Sequence, residues 1–128
     1  MNQQKENKTF YLYFNTRDEL YRVDLFTVAY FEADRNYTEV FFTNGMHVML
    51  TTSLLNVEGM LNAEGIRGKI PSFVRLGRSL IVNLDFILHV NILKQELVVA
   101  DMYSTHPYKL SASREALKKL KELYTQGK

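Results

Sequence analysis

Cysteine is absent from the 128 residues. Its absence excludes disulfides, thiolate nucleophiles and cysteine-based zinc centres together, and it fits a reducing compartment. No apolar run in the chain approaches the roughly 18–20 residues that a membrane-spanning helix needs. The opening Met1-Asn-Gln-Gln-Lys-Glu-Asn-Lys is polar and has no apolar signal-peptide segment. The expectation is a cytoplasmic protein without membrane insertion. The chain also lacks a G-x-S-x-G elbow, a Walker A loop and a dinucleotide glycine fingerprint. The three histidines, His47, His89 and His106, lie far apart, with no acidic residue nearby at metal-ligand spacing. No metal, no cofactor, no small-molecule substrate and no catalysis are expected.

What is present suits one domain. The length falls in the usual range for a single core, and hydrophobic residues at 46% with charged residues at 23% are ordinary for a globular chain. Charge is uneven. Residues 1–60 carry five Lys/Arg against eight Asp/Glu, a balance of −3, and residues 61–128 carry eleven against six, a balance of +5. A basic half invites an anionic partner, with nucleic acid the commonest. A solvated surface is the plain alternative.

Residues 1–9 read as a polar, flexible leader, 10–124 as the domain and 125–128 as a tail. Phe10–Phe14, Glu19–Val23, Ala29–Ala33 and Tyr37–Phe42 carry β-prone or alternating patterns. Asn44-Gly45 is the clearest hairpin signal and leads into Met46–Leu50. Thr52 is placed to cap a short helix with Leu54, Leu55, Val57, Met60 and Leu61 on its apolar side. Gly65-Ile-Arg-Gly68 before Lys69 resembles the GXXG loop of KH domains. That loop leads into a helix, whereas Pro71 and β-prone Phe73-Val74 follow here, so a plain turn is the reading. Two short strands flank Gly77-Arg78-Ser79, Phe86–Val90 and Glu96–Ala100 follow, and Tyr108–Leu110 is the last strand. Ser111 or Ser113 caps a terminal helix with Leu117, Leu120, Leu123 and Tyr124 as its stripe. Strands outnumber helices and no βαβ rhythm appears, which predicts a mainly antiparallel β domain. The sixteen Tyr and Phe fall mostly at alternating strand positions, which suits core packing better than base stacking.

Three segments together resemble the LytTR family of bacterial DNA-binding domains. Phe73-Val-Arg-Leu-Gly-Arg-Ser-Leu-Ile-Val-Asn83 is similar to the family's F-x-R-x-H-R-S-x-x-V-N, with Gly77 at the histidine position. Val28-Ala-Tyr-Phe-Glu-Ala-Asp-Arg-Asn-Tyr-Thr38 is similar to its I-x-Y-I-E-x-x-x-x-Y-x stretch, and Leu110-Ser-Ala-Ser-Arg-Glu-Ala-Leu-Lys-Lys-Leu120 to its closing V-S-R-x-x-x-K-x-L. The resemblance implies an elongated set of small antiparallel sheets with a short internal and a C-terminal helix. It implies a transcription regulator whose loops enter successive major grooves of double-stranded DNA, here expected as a single domain without a receiver. A second copy on a paired half-site is a further expected partner.

The resemblance also nominates residues. Arg35, Asn36, Tyr37 and Thr38 match the first contact loop, where Arg and Asn suit base edges; a plain β-turn is the alternative, and strand packing for Tyr37. Arg75, Arg78 and Ser79 match the second. Arg78 stands at a turn between two apolar runs, so its guanidinium is expected in solvent, whereas Arg75 lies on a strand and suits an internal ion pair equally well. Gly77 removes or alters one family contact. Asn83 is expected as a structural cap. Arg114 matches the third region, with Lys109 and Lys118 flanking a helix start that offers amides to a phosphate. The rival function is a protein-interaction module, an antagonist that pairs with a LytTR-containing regulator and does not read DNA.

Overall fold

A computed structural model describes residues 8–125. Most of the leader and residues 126–128 of the tail lie outside the described residues. The domain opens on a hairpin, β1 (Tyr11–Asn15) and β2 (Leu20–Asp24), paired Phe14↔Tyr21 and Leu12↔Val23. A single 3-10 turn, Leu25–Thr27, follows, capped by Asp24. Then come β3 (Val28–Asp34), β4 (Tyr37–Phe42) and β5 (His47–Leu50), helix α1 (Leu54–Leu61), and β6 (Phe73–Leu76) and β7 (Leu80–Asn83). A second 3-10 turn, Leu84–Phe86, precedes β8 (Ile87–Asn91), β9 (Glu96–Val99), β10 (Tyr108–Ser111) and α2 (Arg114–Thr125).

The strands form three antiparallel sheets: β1-β2, β5-β4-β3-β7-β6 and β10-β9-β8. The chain is mainly β with one internal and one terminal helix, as its patterning predicts. The five-stranded sheet is the middle layer, and the period of two sorts its side chains to two cores. Phe31, Val40, Leu50 and Ile81 meet α1 and the β1-β2 hairpin on one face. Tyr30, Leu76, Leu80 and Val82 meet the three-stranded sheet and α2 on the other. A register shift between Val28 and Tyr30 marks a bulge, and it puts neighbours Ala29 and Tyr30 in the same core. Tyr30 stacks on Phe41 at 4.5 Å with Tyr108 edge-on at 5.2 Å, and the Tyr108 hydroxyl donates to the Phe42 carbonyl. These contacts lock the C-terminal sheet to the central one.

Asn83 is fully buried. Its Nδ2 donates to the Val28 carbonyl at 2.9 Å and its Oδ1 accepts from the Asp85 amide at 2.9 Å, the structural cap expected of it. Other local expectations shift. Ser53, not Thr52, caps α1: its Oγ accepts from the Asn56 amide, while the Thr52 hydroxyl accepts from the Asn56 side chain instead. Leu55, Leu123 and Tyr124 are exposed rather than core-facing, since the buried positions are Leu54, Val57 and Leu61 on α1 and Leu117 and Leu120 on α2. Residues 65–68 form turns, as the plain reading has it. No described helix is long and apolar enough to cross a membrane.

Candidate nucleic-acid interface

The pairing Asp34↔Tyr37 leaves Arg35-Asn36 as the two-residue turn between β3 and β4. Both side chains are exposed and neither has a partner among the described residues. Arg35 has a φ of +61°, a region that a non-glycine residue enters at a cost. Tyr37 is 49% exposed, so the packing alternative does not account for it. Thr38 is different: it is fully buried and its hydroxyl donates to the Thr52 carbonyl at 2.8 Å. The alternation that exposes Tyr37 turns Thr38 inward, which removes it from any contact surface.

The second turn is Gly77-Arg78-Ser79, closed by the pair Leu76↔Leu80. Gly77 has a φ of +66°, and this is the position that the turn needs glycine for. Arg75 does not reach outward. Its Nη1 meets Glu58 Oε1 at 2.6 Å, its Nε donates to the Gly77 carbonyl at 3.1 Å and its Nη2 to the Arg78 carbonyl at 3.0 Å. Arg75 is therefore held as a structural ion-pair partner. Arg78 is exposed and its guanidinium has no partner among the described residues. Ser79 is exposed, and its carbonyl accepts from the Ala33 amide at 2.8 Å. That bond extends the β3–β7 ladder to the sheet's end, so the two turns sit side by side. With strands ~4.8 Å apart, their tips lie about 10 Å from one another.

The start of α2 reaches the same end. A cleft of about 340 Å³ is lined by both Gly77 and Ser113, and Ser113 Oγ caps the helix by accepting from the Ala116 amide. Arg114 Nη2 donates to the Leu93 carbonyl at 3.1 Å, and the Ala112 amide to the Gln95 carbonyl at 3.3 Å. These bonds bring in the β8–β9 turn, residues 92–95, with Lys94 exposed on it. Lys94 belongs to this surface and the sequence gives little sign of it, because a lysine in a polar turn has no motif of its own; only the packing against α2 assigns it. Lys118 is exposed one helical turn beyond Arg114. Lys109 points along the outer face of the three-stranded sheet, 3.8 Å from Glu96 Oε2, and is the least committed of the set.

Three chain-distant turns and the start of α2 thus bring exposed Arg35, Arg78, Lys94 and Arg114 toward one end of the sheet, with Asp34 and Glu115 as nearby acids. Behind the Arg35 turn, Glu32 lies directly across from Glu39. Burial, then the Glu39 and Asp34 carboxylates, raise its pKa above the ordinary glutamate value. His47 Nδ1 is 2.6 Å from Glu39 Oε2, a cross-strand proximity that separation along the chain conceals. No group of three potential ligands is placed to hold a metal ion among the described residues. The opposite end of the sheet is occupied otherwise. There the 101–107 loop packs on the Asn44-Gly45 turn, with Ser104 donating to the Thr43 carbonyl and the His106 ring filling the space beside Gly45.

The family model of the LytTr DNA-binding domain matches residues 18–125, and the chain belongs to that family. A solved structure of the LytTr DNA-binding domain of a protein described as a methyl-accepting/DNA response regulator, from Bacillus cereus, shares the fold. It aligns with a TM-score of 0.61 and 21% identity, covering 93% of this chain and 99% of that one. No curated protein matches. The family assignment makes this a DNA-binding domain, and a DNA-binding regulator is the function that follows from it.

Proposed function

We propose that the chain reads double-stranded DNA in a sequence-specific manner through the turns at this end of the central sheet, with no recognition helix and no catalysis. What supports the reading is that three chain-distant turns and the start of α2, carrying Arg35-Asn36, Arg78-Ser79, Lys94 and Arg114, are linked by the Ala33–Ser79 bond, the cleft shared by Gly77 and Ser113 and the Arg114–Leu93 bond, with their charges unmatched by carboxylate ion pairs among the described residues. Two turns about 10 Å apart suit neighbouring groups within a major groove ~12 Å wide. Arg78 and Arg35 carry the forked donor pattern that matches guanine O6 and N7, and Asn36 the pattern that matches adenine. Arg114 and Lys118 supply cations for backbone phosphates, beside the amides of the first turn of α2. Tyr37 and Ser79 border the contact, and Lys109 adds to the field more than to the contact.

In vitro selection of duplexes from random DNA tests the reading. It should enrich a shared motif, and Arg78→Ala should weaken binding to the enriched duplex by about 1–3 kcal/mol in fluorescence anisotropy. No enrichment even at low salt would instead favour a protein-interaction module.

A further inference from the structure

We infer that Glu58, on α1, is a positioning residue for the Arg78 turn and acts through Arg75. The inference rests on the turn being a DNA contact, as proposed above. The turn has little packing of its own: a side chain built at Gly77 would meet nothing within 4 Å, and Arg78 and Ser79 are exposed. What orders it is the Arg75 fork. Nε and Nη2 hold the two successive carbonyls of Gly77 and Arg78, which orients the peptide units from which the Arg78 side chain leaves. The fork in turn needs an anchor. Nη1 finds it in Glu58 Oε1 at 2.6 Å, a charge-assisted contact of the short, strong kind. Glu58 is fixed because its neighbours Leu54, Val57 and Leu61 are buried against the central sheet. Both partners are half-buried, with side chains 28% and 33% exposed. Removing the carboxylate leaves the guanidinium an incentive to turn to water and release both carbonyls.

The test compares Glu58→Ala, Glu58→Gln and the exchanged pair Glu58→Arg with Arg75→Glu, on the duplex selected by the wild-type protein. A displacement of about 1 Å can cost up to about 100-fold, so Glu58→Ala should weaken specific binding about tenfold, with Glu58→Gln between it and wild type. The dependence of affinity on salt should keep its slope, because no phosphate contact is removed. The exchanged pair separates positioning from simple stabilisation. It restores an ion pair, and with it the melting temperature, but a glutamate at 75 cannot donate to the two carbonyls, so binding stays weak. Recovery of binding in the exchanged pair would overturn the inference. Amide NMR order parameters of Gly77–Ser79 in the free protein provide a readout without DNA. They should fall from rigid values, near ~0.85, in Glu58→Ala; unchanged order parameters would overturn the inference whether or not DNA binds. A wild-type protein that selects no duplex counts against the DNA reading alone.

Discussion

Gly77 and Glu32 each show one residue setting a limit on what the domain can do. Gly77 holds a φ of +66° and faces open space, where the motif that the sequence resembles has histidine. Space is not what keeps an imidazole out; the backbone is, at a cost of roughly 1–2 kcal/mol for any L-residue. Gly77→His should therefore lower the melting temperature by a few degrees while placing a new donor beside Arg78. Selection from random DNA should yield an altered motif with this variant, and an unaltered motif would show that position 77 does not face DNA. Glu32 is held above its ordinary pKa by burial and by Glu39 and Asp34, so the folded protein binds its proton more readily than the unfolded chain. Its ionisation destabilises the fold: stability present below the unfolded pKa is lost as pH rises through the raised folded value. Glu32→Gln should melt higher than wild type at pH 7, and the difference should shrink to nothing below about pH 4. A constant difference across that range would contradict the assigned cause.

At the scale of elements, the hairpin turns carry both the positive-φ residues and exposed cations. Arg35 occupies a positive-φ position that glycine or asparagine fills more readily. Arg35→Gly should raise the melting temperature by a few degrees and weaken DNA binding at the same time. A variant that gains stability with full affinity would place Arg35 outside the interface. The strands themselves were legible as β-prone runs bounded by turn residues: Tyr37–Phe42 lies between Asp34-Arg35-Asn36 and Asn44-Gly45 and forms β4 as read. Helix faces were less legible. Nothing in the heptad-like spacing of Leu54, Leu55 and Leu61 tells that the sheet covers only part of the stripe, and the exposure of Leu55 follows from the partner surface alone. Thr38, nominated with its neighbours, is buried for a related reason. A motif position marks where a family places a residue, whereas the pleat decides which way the side chain turns.

At the scale of the whole molecule, the sequence showed three segments but not their meeting. That depends on the antiparallel pairing of β3 with β7, whose ladder aligns residues about fifty positions apart, Glu32 with Leu80, and on α2 starting beside Gly77. Lys94 joins the surface only through these packings, and Arg75 leaves it through an ion pair with a residue 17 positions away. Both are long-range facts with no local signature. The central claim is that one end of the five-stranded sheet meets DNA and the other does not. A titration of the isotope-labelled protein with its selected duplex, followed by amide NMR, tests this most directly. Shifts should concentrate at residues 34–37, 77–79, 92–95 and 111–114 and leave 43–46 and 101–107 unmoved. Shifts centred instead on the Asn44-Gly45 turn and the 101–107 loop would contradict it.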